Sequence, residues 1–90
     1  MTHAELVVAI AQYLRLTGWY VIQLPKGGVP GLRGLPDLLA FKAPRVLPVE
    51  AKVGPDKMSA EQRIVAEHFT FAGYPVLEAR SLDDVMGVTR

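Results

Sequence analysis

Cysteine is absent from the 90 residues of the chain, which excludes a disulfide framework, a thiolate zinc site and thiol redox chemistry. An intracellular setting fits that absence. Long apolar runs are missing too: the longest apolar region near the N-terminus, LVVAIAQYL, is interrupted by Gln12 and follows Glu5, so it reads neither as a signal peptide nor as a membrane span. A soluble protein is expected. Charge of one sign is also lacking, with a formal net charge of only +1. Its distribution is uneven, because residues 26 to 63 hold seven Lys or Arg against four acids, leaving +3 there and −2 in the remainder. That asymmetry favours an anionic partner near the middle of the chain but falls short of a basic stripe. No internal repeat or low-complexity tract is present, and half of the residues are hydrophobic, so a single domain over 1–90 is expected. A domain this small buries only about 60 to 65% of its unfolded surface, so self-association would add stability.

What is present can be followed along the chain. Thr2 and Glu5 have the spacing of a capping box, and Leu6, Ile10, Tyr13 and Leu14 recur at helical spacing until Gly18, predicting a helix over residues 3 to 17. Val7, Val8, Ala9, Ala11 and Leu16 widen its apolar stripe beyond the need of one small sheet, which makes a homodimer contact the simplest expectation. WYVIQL, Trp19 to Leu24, reads as a strand. Pro25 to Pro36 packs four glycines and three prolines into twelve residues and must be a loop. DLLAFK and VLPVEAKV read as strands of an antiparallel hairpin joined through Ala43-Pro44-Arg45. Pro48 lacks a donor, so it is expected where regular pairing starts or at a bulge. Ser59 with Gln62 opens a second helix ending at Gly73, YPVLEA is a further strand, and Ser81 with Asp84 opens a short last helix. The order αβββαβα suits an α/β fold, a small mixed sheet flanked by helices.

The chemistry concentrates in LPVEAKV. Residues two apart in a strand share a face, so Glu50 and Lys52 project together while Val49, Ala51 and Val53 serve the core. An isolated E-x-K is most simply a structural salt bridge. Asp37 changes that weighing, because it stands thirteen positions upstream at the start of the partner strand, and the hairpin would bring it close to Glu50. Two adjacent carboxylates repel unless one is protonated or a cation lies between them. Mg²⁺, which takes one or two carboxylates and keeps several waters, suits such a pair.

Gly34-Leu35-Pro36-Asp37, then Glu50-Ala51-Lys52, then Ser59-Ala60-Glu61-Gln62 together resemble the VRR-NUC family, the virus-type replication and repair nucleases of the PD-(D/E)XK superfamily. The resemblance runs from Glu5 to about Glu78. Ala51 departs from it slightly, standing where a larger β-branched residue is common. The resemblance implies a restriction-endonuclease-like core and a Mg²⁺- or Mn²⁺-dependent DNA endonuclease, similar to Holliday-junction resolvases, acting on structured or branched DNA in replication, recombination or repair. It implies Asp37, Glu50 and the Ala51 backbone carbonyl as metal ligands. Lys52 would position or deprotonate the attacking water, Gln62 would orient Lys52 or that water, and Glu5 would face the metal from the first helix. A homodimer in a prokaryotic cytoplasm, or viral in that of a host, goes with it.

Plainer readings stand beside these. Glu5 and Gln62 each also complete a helix cap. The glycine-rich loop is not followed by G-K-[ST], so a P-loop is not expected; Lys26 and Arg33 on it are candidates for DNA backbone contacts. His68 reads as a residue at the boundary of the core, and His3 carries no assignment. Trp19, Tyr20, Phe41 and Tyr74 read as core or interface residues. Two competing functions are a catalytically inert nuclease-fold module that only binds DNA and a small dimeric interaction protein.

Overall fold

Thr2 and Glu5 close their capping box, Thr2 Oγ1 accepting the Glu5 N–H and the Glu5 carboxylate accepting the Thr2 N–H, and this starts α1, His3–Leu16. The computed structural model describes residues 1–25, 31 and 33–90. Leu6, Ile10, Ala11 and Leu14 form the buried stripe of α1. The helix stops where Gly18 takes φ +94°, a left-handed conformation that suits glycine. The Trp19 N–H turns back to the Leu14 carbonyl at 2.9 Å, so Trp19 belongs to the helix end, and β1 is Tyr20–Gln23, shorter than its sequence pattern.

The hairpin of β2, Leu38–Lys42, and β3, Arg45–Ala51, is antiparallel as expected, with Lys42 opposite Arg45 across the turn. β1 pairs antiparallel with β2, and β4, Leu77–Ala79, pairs parallel with β3, giving the sheet order β1-β2-β3-β4. Val21, Leu38, Ala40, Leu47, Val49, Ala51 and Ala79 form a buried cluster with the apolar stripe of α1 and with Val85 of α3, Leu82–Thr89. The Ser81 cap of α3 is present as read from the sequence. Strand alternation then turns Ile22, Leu39, Pro48 and Glu50 to the opposite face.

Pro48 lies inside the ladder, opposite Leu39, and not at its start or at a bulge. The reason is which way its nitrogen faces. Leu24 N–H donates to the Asp37 carbonyl at 2.9 Å, so the odd-numbered residues of β2 turn their polar groups toward β1. Leu39 and Pro48 are therefore a non-hydrogen-bonded pair, and β4 joins only from Val49 onward. The missing N–H falls where no partner asks for it.

α2, Ala60–Phe71, starts at the Ser59 cap and contains no buried residue. Ile64 is 55% and Phe71 93% exposed, and His68 is exposed as well, where the sequence pattern suggested the core boundary. Its anchor is its first turn. Gly34 takes φ +82°, and a Cβ there would lie 2.6 Å from the Glu61 carbonyl oxygen, so only glycine lets the loop approach α2 this closely. Gly34→Ala is expected to lower stability in urea unfolding by about 1–3 kcal/mol, through left-handed strain and the clash.

The apolar surplus of α1 is partly absorbed: Ala11 is in the core and Val7 packs against it. Val8 and Leu16 remain 48% and 87% exposed. Tyr20 and Tyr74 are exposed too, whereas Trp19 is buried and Phe41 half-buried. Among the described residues no helix is long and apolar enough to cross a membrane.

Candidate metal centre

The β2–β3 ladder ends at Leu38 opposite Val49. Beyond that point the side chain of Asp37 replaces the missing strand, its Oδ2 accepting the Ala51 N–H at 2.7 Å. The same step places Asp37 beside Glu50, and both are buried, at 4% and 2% exposure. Burying adjacent carboxylates is unfavourable without hydrogen bonds or a cation. His3 supplies a third group from the first turn of α1, with Nε2 3.2 Å from Asp37 Oδ2. One ligand atom from each of His3, Asp37 and Glu50 lies within 4.8 Å of the other two. Carboxylate oxygens and an imidazole nitrogen form a donor set that fits a divalent cation.

Lys52 leaves β3 with its N–H donated to the Ala79 carbonyl at 2.9 Å, which prolongs the β3–β4 pairing by one residue. Its Nζ donates to Gln62 Oε1 at 2.8 Å, and that oxygen also accepts the Ser59 N–H at 2.9 Å. An ammonium and a backbone N–H only donate, so the carbonyl end of the Gln62 amide must face them. One atom thus serves both the helix cap and the contact with Lys52. Arg80 steadies the turn that follows Lys52 by donating to the Gly54 and Asp56 carbonyls at 3.0 and 2.6 Å.

Glu5 is not brought to this cluster. Its carboxylate is on the Thr2 N–H, and hydrogen bonding to Thr2 holds its pKa below 4.5. A helix turns roughly 100° per residue, so the side chains of residues 3 and 5 point about 200° apart. With His3 turned to Asp37, Glu5 faces elsewhere. Because folding lowers this pKa, the cap contributes fully above 4.5 and fades as pH falls through the lower folded value. Glu5→Gln should therefore flatten the loss of thermal stability with acid below about pH 4.5, measured by melts down to about pH 3, and leave metal affinity unchanged. Arg33 lies 4.0 Å from Glu61 at the start of α2, both largely exposed, a pair of little energetic weight. Lys26 lies outside the described residues.

Sequence reasoning passed over His3 because a residue near a terminus is usually frayed. The capping box fixes where the first turn begins, but no signal in the sequence says which of its residues faces the sheet.

Fold and donor set together are those of a small α/β domain with a candidate divalent-metal centre. A solved structure titled "VRR_NUC domain" superposes on the chain with a TM-score of 0.78 and 25% sequence identity, covering 96% of this chain and 91% of that one. No protein-family model and no curated protein sequence matches the chain. The structural likeness extends over almost the full length of both partners and supports the resemblance to the VRR-NUC family.

Proposed function

We propose that the chain is a metal-dependent deoxyribonuclease that hydrolyses phosphodiester bonds in structured or branched DNA, such as flaps and four-way junctions, in replication, recombination or repair. The observation that carries this reading is the buried Asp37–Glu50 pair together with the Lys52–Gln62 contact, Lys52 following Glu50 by two residues. Asp37, Glu50 and the Ala51 carbonyl would hold Mg²⁺ or Mn²⁺. When bound, that ion supplies Lewis acidity toward the phosphate and lowers the pKa of water at the site. Lys52 orients the nucleophilic water and stabilises the charge that develops on the phosphoryl oxygens. Gln62 holds the ammonium in place. Glu5 acts through the N-terminal cap of α1, and Arg33 and Lys26 would contact the DNA backbone.

Two copies are proposed to act together, one site in each, since Val8, Leu16, Tyr20 and Phe71 leave apolar surface exposed on the single chain. A monomeric mass by light scattering at micromolar concentration would count against the dimer. The activity is tested with labelled duplex, flap and four-way junction substrates in Mg²⁺ or Mn²⁺. Cleavage should appear on at least one substrate and disappear on chelation. Metal-independent DNA binding without turnover on any substrate would replace this reading with an inert binding module.

A further inference from the structure

We propose that His3 is a third protein ligand of the metal held by Asp37 and Glu50, and that its imidazole biases the centre toward Mn²⁺ over Mg²⁺. The proposal rests on the metal-dependent nuclease reading above and adds to it a residue and a metal preference.

The geometry is that of neighbouring ligands. Two donors bound to one octahedral ion at about 2.1 Å lie about 3.0 Å apart when they occupy adjacent corners. His3 Nε2 and Asp37 Oδ2 are 3.2 Å apart, and the three-residue donor set stays within 4.8 Å. Small side-chain adjustments therefore suffice to gather all three on one ion. Both ends of the His3–Asp37 contact are held: His3 by the capped first turn of α1, Asp37 by the Ala51 N–H. The imidazole side chain is 45% exposed, and a cleft of ≈ 220 Å³ opens beside His3 and Asp37, leaving room for an ion that retains waters.

The chemical consequence lies in the donor. Mg²⁺ binds oxygen and gains little from a nitrogen ligand, whereas imidazole suits transition ions and carboxylates suit Mn²⁺. A centre of two carboxylates and one imidazole thus separates ions that an all-oxygen centre would treat more alike. Placed opposite Glu5 on the helix wheel, His3 occupies the direction from which the resemblance had suggested a carboxylate.

Pulsed electron paramagnetic resonance of Mn²⁺ bound to the wild-type chain tests the assignment without relying on any variant's folding. The expected result is a ¹⁴N coupling from a directly bound imidazole, absent in His3→Ala and kept in His68→Ala, His68 being the second of the chain's two histidines. In calorimetry, His3→Ala should weaken Mn²⁺ by at least about tenfold while Mg²⁺ changes far less, and His3→Asp should shift the preference toward Mg²⁺. Asp37→Asn serves as the control for the underlying centre. If it abolishes Mn²⁺ binding but the wild type shows no ¹⁴N coupling and His3→Ala binds like wild type, the His3 assignment is overturned and the metal centre stands. If Asp37→Asn binds Mn²⁺ as tightly as wild type, the centre itself is wrong and His3 falls with it.

Discussion

Lys52→Ala should leave the chain folded and able to bind DNA while strand cleavage falls by about 10²–10³-fold. Lys52 is half-buried, its ammonium is tied to Gln62 at 2.8 Å, and it follows directly on the strand that carries Glu50. On the proposed mechanism, removing it deletes one positive charge from the position where phosphoryl charge would develop, and deletes it from a partly desolvated place where it counts most. The side chain contributes nothing to the buried apolar cluster, so the fold has little reason to respond. Thermal melts, DNA binding by anisotropy and single-turnover cleavage separate the three quantities. Cleavage by Lys52→Ala at the wild-type rate would remove the mechanism. Lys52→Arg should rescue poorly, because a planar guanidinium cannot reproduce a compact point charge held by one amide oxygen.

Asp37 offers the second large effect, and two substitutions divide its roles. Asp37→Asn keeps an oxygen that can accept the Ala51 N–H but loses the negative charge needed for the ion. Stability should stay near wild type, since a buried carboxylate next to Glu50 has also been neutralised, while metal affinity and cleavage are lost. Asp37→Ala leaves the Ala51 amide without that acceptor at the buried end of the β2–β3 ladder. An unsatisfied buried donor costs about 1–3 kcal/mol, so this variant should be both inactive and measurably less stable in urea. Equal stability of the two variants would mean that the Asp37–Ala51 bond matters little to folding.

The elements most legible in the sequence are those set by local chemistry. Both capping boxes start their helices where the Thr2–Glu5 and Ser59–Gln62 spacings put them, and the hairpin pairs as its pattern requires. The meeting of Asp37 with Glu50 was legible for the same reason, since a hairpin makes a long-range contact out of a short-range register. What needs tertiary docking was not legible. Whether His3 or Glu5 turns toward the sheet depends on how α1 rotates as Leu6, Ile10 and Leu14 bury themselves, and the cap spacing is silent about that rotation. Pro48 was misplaced because a missing donor is a problem only on a side that has a neighbouring strand, and β4 begins one residue later. The exposure of α2 follows from no pattern in its own residues: an amphipathic stretch promises a buried face only if something lies against it.

The shared oxygen of Gln62 links two processes that are usually separate. α2 contains no buried residue, so the helix draws on little apolar contact and should open locally at modest free energy. When it opens, the Ser59 amide and the Lys52 ammonium lose the same acceptor together. Hydrogen exchange at the start of α2 therefore reads out the orientation of the lysine, and anything that rests on Ile64 or Phe71 and stiffens the helix also shortens the time that Lys52 spends unaimed.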